Sequence, residues 1–337
     1  MKTIVYRTAA SVRAGRLRSL LRGAAMLWLA APLWAAGFDL QGHRGARGLE
    51  PENTLPAFER ALALGVHTLE LDVGLTADGV LVVAHDPLLN PAIARDASGA
   101  WILAAGPAIR SLTVAQLKAY DVGRLNPQTP YAKGFAEQQA RDGTRTPTLA
   151  EVFARARVLG AEAVRYNIET KLNPLKPGET AEPQAIVEVL LRTLADAGVA
   201  ERVTIQSFDW RTLQLVQKAA PQIPTVYLSI QTTNTDNIRD GAWTAGFKIA
   251  EHGSVPRLVK AAGGAVWSPN GGALTEALLK EAQGLGLKVI PWTINNPADM
   301  ERFIGWGVDG LITDYPDRAL GVMRQRGMAL PKAFPPR

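Results

Sequence analysis

The 337-residue chain contains no cysteine. Disulfide bonds and thiolate metal sites are therefore excluded, and the fold must be stable without covalent cross-links. The chain also has only four histidines, so few positions can supply an imidazole for proton transfer near neutral pH. The remaining composition, 47% hydrophobic with mixed charges, is typical of a globular protein rather than a disordered one.

The first 36 residues lack any acidic side chain. Six basic residues precede the apolar run GAAMLWLAAPLWAA, namely Lys2, Arg7, Arg13, Arg16, Arg18 and Arg22. A basic segment, a short apolar run interrupted by Pro32, and small residues at Ala35 and Ala36 predict a signal peptide over residues 1–36. An uncleaved anchor is the alternative, because Trp34 is bulky for a cleavage site. We expect a periplasmic or secreted protein with no stable membrane insertion after cleavage.

The excess of positive charge belongs to this N-terminal segment. The whole chain carries 37 basic and 31 acidic residues. Without the six basic residues of the predicted signal peptide, the two signs are present in equal numbers. Net charge therefore gives no support for a nucleic acid partner.

Short β-branched segments alternate with amphipathic helical segments in the rest of the chain. The strand-like segments are FDLQGH, TLELDV, LVVAH, AVRYNIE, VTIQSF, TVYLS, AVWSP, KVIPWTI and GLITD. Helical periodicity lies between them, for example in TLPAFERALALG and PQAIVEVLLRTLADAG. This alternation predicts an α/β protein in which helices wrap a parallel sheet.

The number of strand-like segments bears on the domain organisation. Chain length fits either two domains or a single α/β barrel with an insertion. Nine segments are one too many for eight strands, and the Asp78-Gly79 pair predicts that two of them form a hairpin. Residues from about 87 to 147 are rich in Pro, Gly and Asn, which favours an inserted subdomain or lid. We expect a main domain over residues 37–330 and a loose tail over residues 331–337.

Two of the histidines directly follow strand-like segments. His43 ends FDLQGH, and His85 ends LVVAH. Imidazole gives and takes protons near neutrality, so two histidines at strand ends predict a general acid and base pair. Either histidine alone would more often be structural, and it is their shared position that favours catalysis.

Three carboxylates lie on two of the predicted strands. Glu70 and Asp72 are two residues apart in TLELDV, so they share one face of a strand, and Glu169 ends a later strand in YNIETK. Burying like charges together is costly unless a cation lies between them. An all-oxygen ligand set suits Ca²⁺ or Mg²⁺ rather than zinc, and we favour Ca²⁺. Solvated acids on an exposed edge are the alternative.

Two basic residues accompany this set. Arg44 follows His43 directly, and Lys171 lies two residues after Glu169. Lys171 can lower the pKa values of the acids or contact an anion. Two histidines, an arginine, a lysine and an oxygen-ligated cation together suit a phosphate ester, whose developing negative charge needs cationic contacts.

The order of these motifs resembles the glycerophosphodiester phosphodiesterase family. The resemblance rests on HRGARGLEPENTLPAFERAL, ELDVGLTADGVLVVAHD, NIETK, QSFDW, PWTIN and DGLITDYPD, which follow one another from Gly42 to about Asp317. It implies a TIM (β/α)8 barrel with a small insertion after the second strand region. It also implies a bacterial enzyme of the periplasmic or secreted type.

The resemblance assigns roles to individual residues. It implies that His43 and His85 are the catalytic acid and base and that Glu70, Asp72 and Glu169 bind the metal. It further implies that Arg44 contacts the phosphate and that Lys171 lines the phosphate site. Gln206 and Phe208 would lie at the mouth, and Trp292 would form a wall of the pocket for the glycerol or alcohol group. Glu52 either orients Arg44 or stabilises a helix N-terminus, and Asp314 either caps the last helix or touches the site.

The implied reaction is metal-dependent hydrolysis of small-molecule glycerophosphodiesters to sn-glycerol 3-phosphate and an alcohol. A glycerol hydroxyl attacks phosphorus, and water then opens the cyclic phosphate. The sequence does not indicate the oligomeric state, and it leaves open which histidine acts first.

Three other functions fit parts of the pattern. A phospholipase of the sphingomyelinase D or phosphatidylinositol-cleaving kind also pairs barrel histidines with carboxylates, but it needs an apolar membrane face. A glycoside hydrolase needs two facing carboxylates on well-separated strands, and PWTINN supplies no acid. A non-catalytic periplasmic binding protein predicts a missing histidine or ligand, and both histidines and all three acids are present.

Overall fold

The structure, a computed structural model, describes residues 37–335. The predicted signal peptide lies outside the described residues. The strands are β1 Asp39–Gly42, β2 Thr68–Leu75, β3 Leu81–Val83, β4 Arg165–Thr170, β5 Val203–Ser207, β6 Thr225–Ser229, β7 Val266–Pro269, β8 Lys288–Val289 and β9 Gly310–Thr313. The helices are α1 Leu55–Leu64, α2 Val114–Leu117, α3 Pro130–Lys133, α4 Leu149–Val158, α5 Pro183–Ala197, α6 Trp210–Ala219, α7 Ile249–His252, α8 Val255–Ala261, α9 Glu276–Gly284, α10 Pro297–Trp306 and α11 Pro316–Gln325.

Eight parallel strands form a nearly closed barrel in the order β8-β7-β6-β5-β4-β2-β1-β9. Loop hydrogen bonds complete the ring between β8 and β9, where the Asp309 amide donates to the Val289 carbonyl at 2.9 Å and the Ile312 amide to the Pro291 carbonyl at 3.0 Å. The predicted TIM barrel is confirmed. β3 is the surplus strand, because it pairs with β2 antiparallel after the turn at Gly79, as the hairpin prediction requires.

The apolar core lies between the barrel strands and the surrounding helices. On β2, Leu69, Leu71 and Val73 are fully buried in this core. The alternate positions, Glu70 and Asp72, are also buried but point to the barrel interior. The outer face of each strand therefore stabilises the barrel, and the inner face carries the polar chemistry.

Helix α1 begins as the sequence suggests. Thr54 is the N-cap, and its side chain accepts a hydrogen bond from the Ala57 amide. Asn53 binds Asp72 through its side-chain amide at 2.8 Å. The cap and the neighbouring active-site contact thus come from consecutive residues.

The segment between β3 and α4 contains only short elements. It holds the one-turn helices α2 and α3 and several isolated bridges. A small apolar cluster lies under it, formed by Val82, Leu89, Ala94, Ile109 and Leu117. The segment therefore has a core of its own while remaining part of the same compact unit as the barrel.

The structure describes residues 331–335 of the predicted loose tail. Phe334 is buried in the main core, and its amide donates to the Leu62 carbonyl at the end of α1 at 2.8 Å. One buried aromatic ring and one backbone hydrogen bond hold Phe334 against the barrel. Across residues 37–335, no helix combines the length and apolarity that a membrane span requires.

Candidate active site

Strand register brings the three predicted acids together. Asp72 on β2 is the direct partner of Glu169 on β4, and Glu70 is the partner of Asn167. One carboxylate oxygen from each of Glu70, Asp72 and Glu169 lies within 4.8 Å of the others. All three side chains are buried, so the cluster is inside the barrel and not on an exposed edge.

Two cations compensate part of this negative charge. Lys171 Nζ lies 2.6 Å from Glu169 Oε1 and 3.7 Å from Asp72 Oδ1. Arg44 Nε lies 3.3 Å from Asp72 Oδ2 but makes no hydrogen bond. Burial works against an ionised Asp72, yet Lys171, His85 and Arg44 hold the pKa of its carboxyl well below the usual range.

The other two acids are compensated less well. Burial, together with the Asp72 charge, raises the pKa of Glu70 well above its ordinary value. Burial also raises the pKa of Glu169 to about 7, although Lys171 opposes that shift. A further positive charge is needed to keep three buried carboxylates ionised together, and their oxygen ligands match a hard divalent cation. The residues therefore fit the predicted metal.

His43 lies at the end of β1, on the inner face of the barrel. Its Nδ1 is 2.6 Å from Asp314 Oδ1, and its Nε2 is 3.9 Å from Glu70 Oε2. Burial and the neighbouring Arg47 lower the pKa of His43 to about 4, against the effect of Asp314. The imidazole is therefore neutral at pH 7, and the Asp314 contact leaves Nε2 as the nitrogen turned towards the acids.

His85 follows β3 at the rim of the same cavity. Its Nδ1 lies 2.8 Å from Asp86 Oδ1, and Asp86 in turn accepts a hydrogen bond from the Asn90 amide at 2.7 Å. Burial and the nearby Arg44 lower the pKa of His85. Both predicted catalytic histidines are thus oriented by a carboxylate at Nδ1, which leaves Nε2 free to exchange protons.

The loop after β1 has an unusual backbone. Arg44 has a positive φ of 49°, which is strained for a residue with a side chain. In this conformation its amide donates to Glu70 Oε2 at 2.8 Å. Gly45 follows with a φ of 87°, and a Cβ there would lie 2.6 Å from the Ala57 carbonyl carbon. The glycine therefore allows the loop to pack directly on α1.

Glu52 orients Arg44, which was one of the two roles left open. Arg44 Nη1 donates to Glu52 Oε1 at 2.7 Å, and the Tyr131 hydroxyl donates to the other Glu52 oxygen. Burial opposes ionisation of Glu52, but Arg44 and Arg47 lower its pKa. Because Tyr131 is on α3, the segment between β3 and α4 contributes to the position of Arg44.

Asp314 touches the site and does not cap α11. It receives two hydrogen bonds from Arg47, at 2.7 and 3.0 Å, in addition to its contact with His43. Asn295 Nδ2 also donates to it at 2.6 Å. The charge of Arg47 and the His43 contact hold the pKa of Asp314 well below the usual range although the carboxyl is buried.

Sequence patterns left two roles open for Asp314 and indicated no contact with the site for Arg47, Asn53 or Tyr131. Arg47 lies in HRGARG, only four residues after His43, which was the one available signal for it. The contacts of the others depend on long-range packing. Gln206 also differs from its expected place at the mouth, because its buried amide donates to Glu70 Oε1 at 2.6 Å. A buried carboxylate needs such a donor.

The remaining predicted contacts line an open cavity. A cavity of about 140 Å³ is bordered by His43, Arg44, Glu70, His85, Glu169 and Gln206. Phe208 and Trp292 close one side, with ring centres 5.4 Å apart in an edge-to-face arrangement. The Trp292 indole N–H is satisfied by the Ser268 carbonyl at 2.9 Å. A small polar ligand in this cavity would contact both histidines, Arg44, Glu70 and Glu169.

Comparison with known proteins matches most of the chain to a family model. The Glycerophosphoryl diester phosphodiesterase family matches residues 43–318. A glycerophosphodiester phosphodiesterase of Caldanaerobacter subterraneus subsp. tengcongensis is 31% identical over 286 residues, 85% of this chain and 97% of that one. A Bacillus subtilis glycerophosphodiester phosphodiesterase is 32% identical over 278 residues, covering 82% of this chain and 83% of its own.

Solved structures share the fold. A Silicibacter pomeroyi DSS-3 protein aligns with a TM-score of 0.77 and 35% identity, over 88% of this chain and 96% of its own. An Oleispira antarctica phosphodiesterase, solved in complex with the product sn-glycerol-3-phosphate, aligns with a TM-score of 0.62 over 85% of this chain and 96% of its own. Because the second protein is only 20% identical, its similarity shows the fold alone.

Proposed function

The chain belongs to the glycerophosphoryl diester phosphodiesterase family and hydrolyses glycerophosphodiesters, and we propose that it does so with His43 and His85 as the acid and base. The observation that carries this proposal is their placement. Both histidines border one cavity together with Arg44, Glu70 and Glu169, and the third acid, Asp72, lies within 4.8 Å of those two carboxylates. Each is also held at Nδ1 by a carboxylate, so Nε2 can exchange protons with a substrate oxygen.

The products are sn-glycerol 3-phosphate and an alcohol. One neutral imidazole removes the proton from the glycerol hydroxyl that attacks phosphorus. The other histidine must begin this step as the imidazolium, and it gives its Nε2 proton to the alcohol oxygen as the bond from phosphorus to that oxygen breaks. The two exchange roles when water opens the cyclic phosphate. Arg44 supports the phosphoryl oxygens through its guanidinium, whose orientation is fixed by Glu52.

Glu70, Asp72 and Glu169 would hold one divalent cation, and we favour Ca²⁺ over Mg²⁺. When bound, the cation would neutralise charge on the phosphoryl oxygens. Carboxylate oxygens are ligands for both ions, and a set of three buried carboxylates suits the larger ion with its higher coordination number. Lys171 keeps Asp72 ionised and ready to bind it.

Site-directed replacement tests the roles of the histidines. His43→Ala and His85→Ala should each abolish release of sn-glycerol 3-phosphate from glycerophosphocholine while the circular dichroism spectrum is unchanged. His252→Ala is the matched control, because His252 lies on α7 and does not border the cavity that His43 and His85 share. A fully active His43→Ala protein would end the assignment.

The same assay separates this function from that of a phospholipase. Glycerophosphocholine and a lysophospholipid are supplied in parallel to the wild-type protein. We expect hydrolysis of the soluble diester, since the described part of the chain offers a small polar cavity at the histidines. Activity on the lipid alone would favour the phospholipase alternative.

We also propose that residues 1–36 direct the protein to the periplasm or the exterior. Their basic segment and short apolar run support this localisation. Cell fractionation of the expressed full-length chain, followed by mass spectrometry of its N-terminus, tests the proposal. A protein retained in the cytoplasm with an intact N-terminus would contradict it.

A further inference from the structure

A second cavity adjoins the catalytic one. It measures about 410 Å³, and it shares His85, Glu169, Phe208 and Trp292 as walls with the smaller cavity. A group attached to a phosphate in the smaller cavity would therefore extend directly into the larger one. The proposed reaction releases an alcohol from the phosphate, and this space is available to receive it.

Three aromatic side chains line the larger cavity. Phe208 and Trp292 are shared with the catalytic cavity, and Trp243 lines the larger cavity only. Trp243 comes from the loop between β6 and α7, and its carbonyl accepts a hydrogen bond from the Trp210 amide at 2.8 Å. Trp210 is fully buried, so the backbone that carries Trp243 is attached to the barrel core.

The same loop adds a carboxylate. Asp236 lines the cavity and its side chain is 17% exposed. Its only cationic neighbour within the described chain is Arg239, at 3.4 Å, whose side chain is 79% exposed and therefore hydrated. Asp236 Oδ1 is fixed by the Ile238 amide at 3.0 Å, and Ile238 is fully buried. The carboxylate is held in place without a buried counter-ion.

The other charges along this wall are already paired. Lys171 is bound to Glu169 at 2.6 Å, and Asp86 is bound to His85 and Asn90. A ligand group in the cavity therefore meets aromatic faces and one carboxylate that lacks a buried cation. Aromatic rings and a carboxylate together attract an alkylammonium group, because the ring faces carry negative electrostatic potential.

We propose that this cavity is the subsite for the leaving alcohol and that it selects a cationic alcohol, with an alkylammonium headgroup such as that of choline or ethanolamine. The proposal rests on the proposed hydrolysis of glycerophosphodiesters. Asp236 and Trp243 are its specificity-determining residues. Neither residue lines the catalytic cavity, so they act on the choice of substrate and not on proton transfer.

Substrate selectivity tests the subsite. The kcat/KM of the full-length protein with saturating Ca²⁺ is measured on glycerophosphocholine and on glycerophosphoglycerol, whose headgroup is neutral. We expect the wild type to prefer the choline diester by about tenfold, and Asp236→Asn or Trp243→Leu to reduce that ratio by about fivefold. Asp240→Asn is the matched control, since Asp240 lies on the same loop but does not line the cavity; it should keep the wild-type ratio.

The outcomes distinguish this subsite from the proposed function. Hydrolysis of both diesters without preference, or a ratio unchanged by Asp236→Asn and Trp243→Leu, would overturn the subsite and leave the function intact. Hydrolysis of neither diester would overturn the function. In that case, calorimetric titration with choline chloride still tests whether the larger cavity binds an alkylammonium group. Binding that Asp236→Asn weakens supports it, and absence of binding by the wild type refutes it.

Discussion

Asp314 orients the imidazole ring of His43. It accepts from His43 and from Arg47, so it fixes both the ring orientation and the local charge. The motif DGLITDYPD could not reveal this, because Asp314 and His43 are 271 residues apart in the chain. An aspartate at that position is equally suited to cap a helix or to contact the site. Only the pairing of β9 with β1 shows that Asp314 contacts the site.

We expect Asp314→Asn to lower kcat by about a hundredfold with a smaller change in KM, because an amide stabilises a protonated His43 less well than a carboxylate does. The kcat and KM for glycerophosphocholine, together with the pH profile of kcat, measure this. Asp299→Asn is the control, since Asp299 pairs only with the exposed Arg302. A variant that changes KM alone would argue against a role of Asp314 in proton transfer.

At the scale of elements, the carboxylate site arises from the register of two strands. The period of two in TLELDV correctly predicts that Glu70 and Asp72 share a face, because it is a property of one strand. The pairing of Asp72 with Glu169 is a property of two strands and could be expected only from the assumed barrel. The deep position of Gln206 followed from the same register, in which it is the partner of Glu169.

The contacts of the segment between β3 and α4 were the hardest to predict from the sequence. Its Pro, Gly and Asn content predicted an insertion, but no periodicity indicated which residues would face the barrel. In the structure, Tyr131 on α3 reaches Glu52 and Arg47, and the Gln138 side chain donates to the Arg47 carbonyl at 2.8 Å. The insertion therefore supports the arginines of the loop after β1.

We expect Tyr131→Phe to reduce kcat/KM for glycerophosphocholine by about tenfold, because Glu52 loses a donor and holds Arg44 less firmly. Steady-state kinetics and the melting temperature should be measured on the same protein. Tyr120→Phe serves as the comparison, since Tyr120 lies in the same segment and packs against its small apolar cluster. Equal kinetic losses in both variants would indicate a general loosening of the insertion.

At the scale of the whole molecule, the barrel was predictable because alternation of strands and helices repeats along the chain. The C-terminal segment was not, because LPKAFPPR has neither periodicity nor a turn signal that would place Phe334. Its burial depends on a space beside α1 that only the folded barrel creates. Local pattern thus predicted the repeated units, whereas contacts between the two ends of the barrel domain had to be observed.

Phe334→Ala should lower the free energy of unfolding by about 3 kcal/mol, through lost burial and the cavity that remains. Urea denaturation followed by tryptophan fluorescence measures the change. Pro335→Ala is the adjacent control, because Pro335 is exposed, and its effect should be small. Equal stability of the two variants would mean that the C-terminal segment is loose in solution, as the sequence suggested.

Three buried carboxylates should make hydrolysis of glycerophosphodiesters depend on a divalent cation. Release of sn-glycerol 3-phosphate from glycerophosphocholine should be measured before treatment with excess EDTA, after it, and after Ca²⁺ or Mg²⁺ is returned. We predict that EDTA stops turnover and that added cation restores it, because Lys171 and Arg44 compensate only part of the charge of the three acids. Undiminished turnover in EDTA would contradict the proposed dependence on a divalent cation.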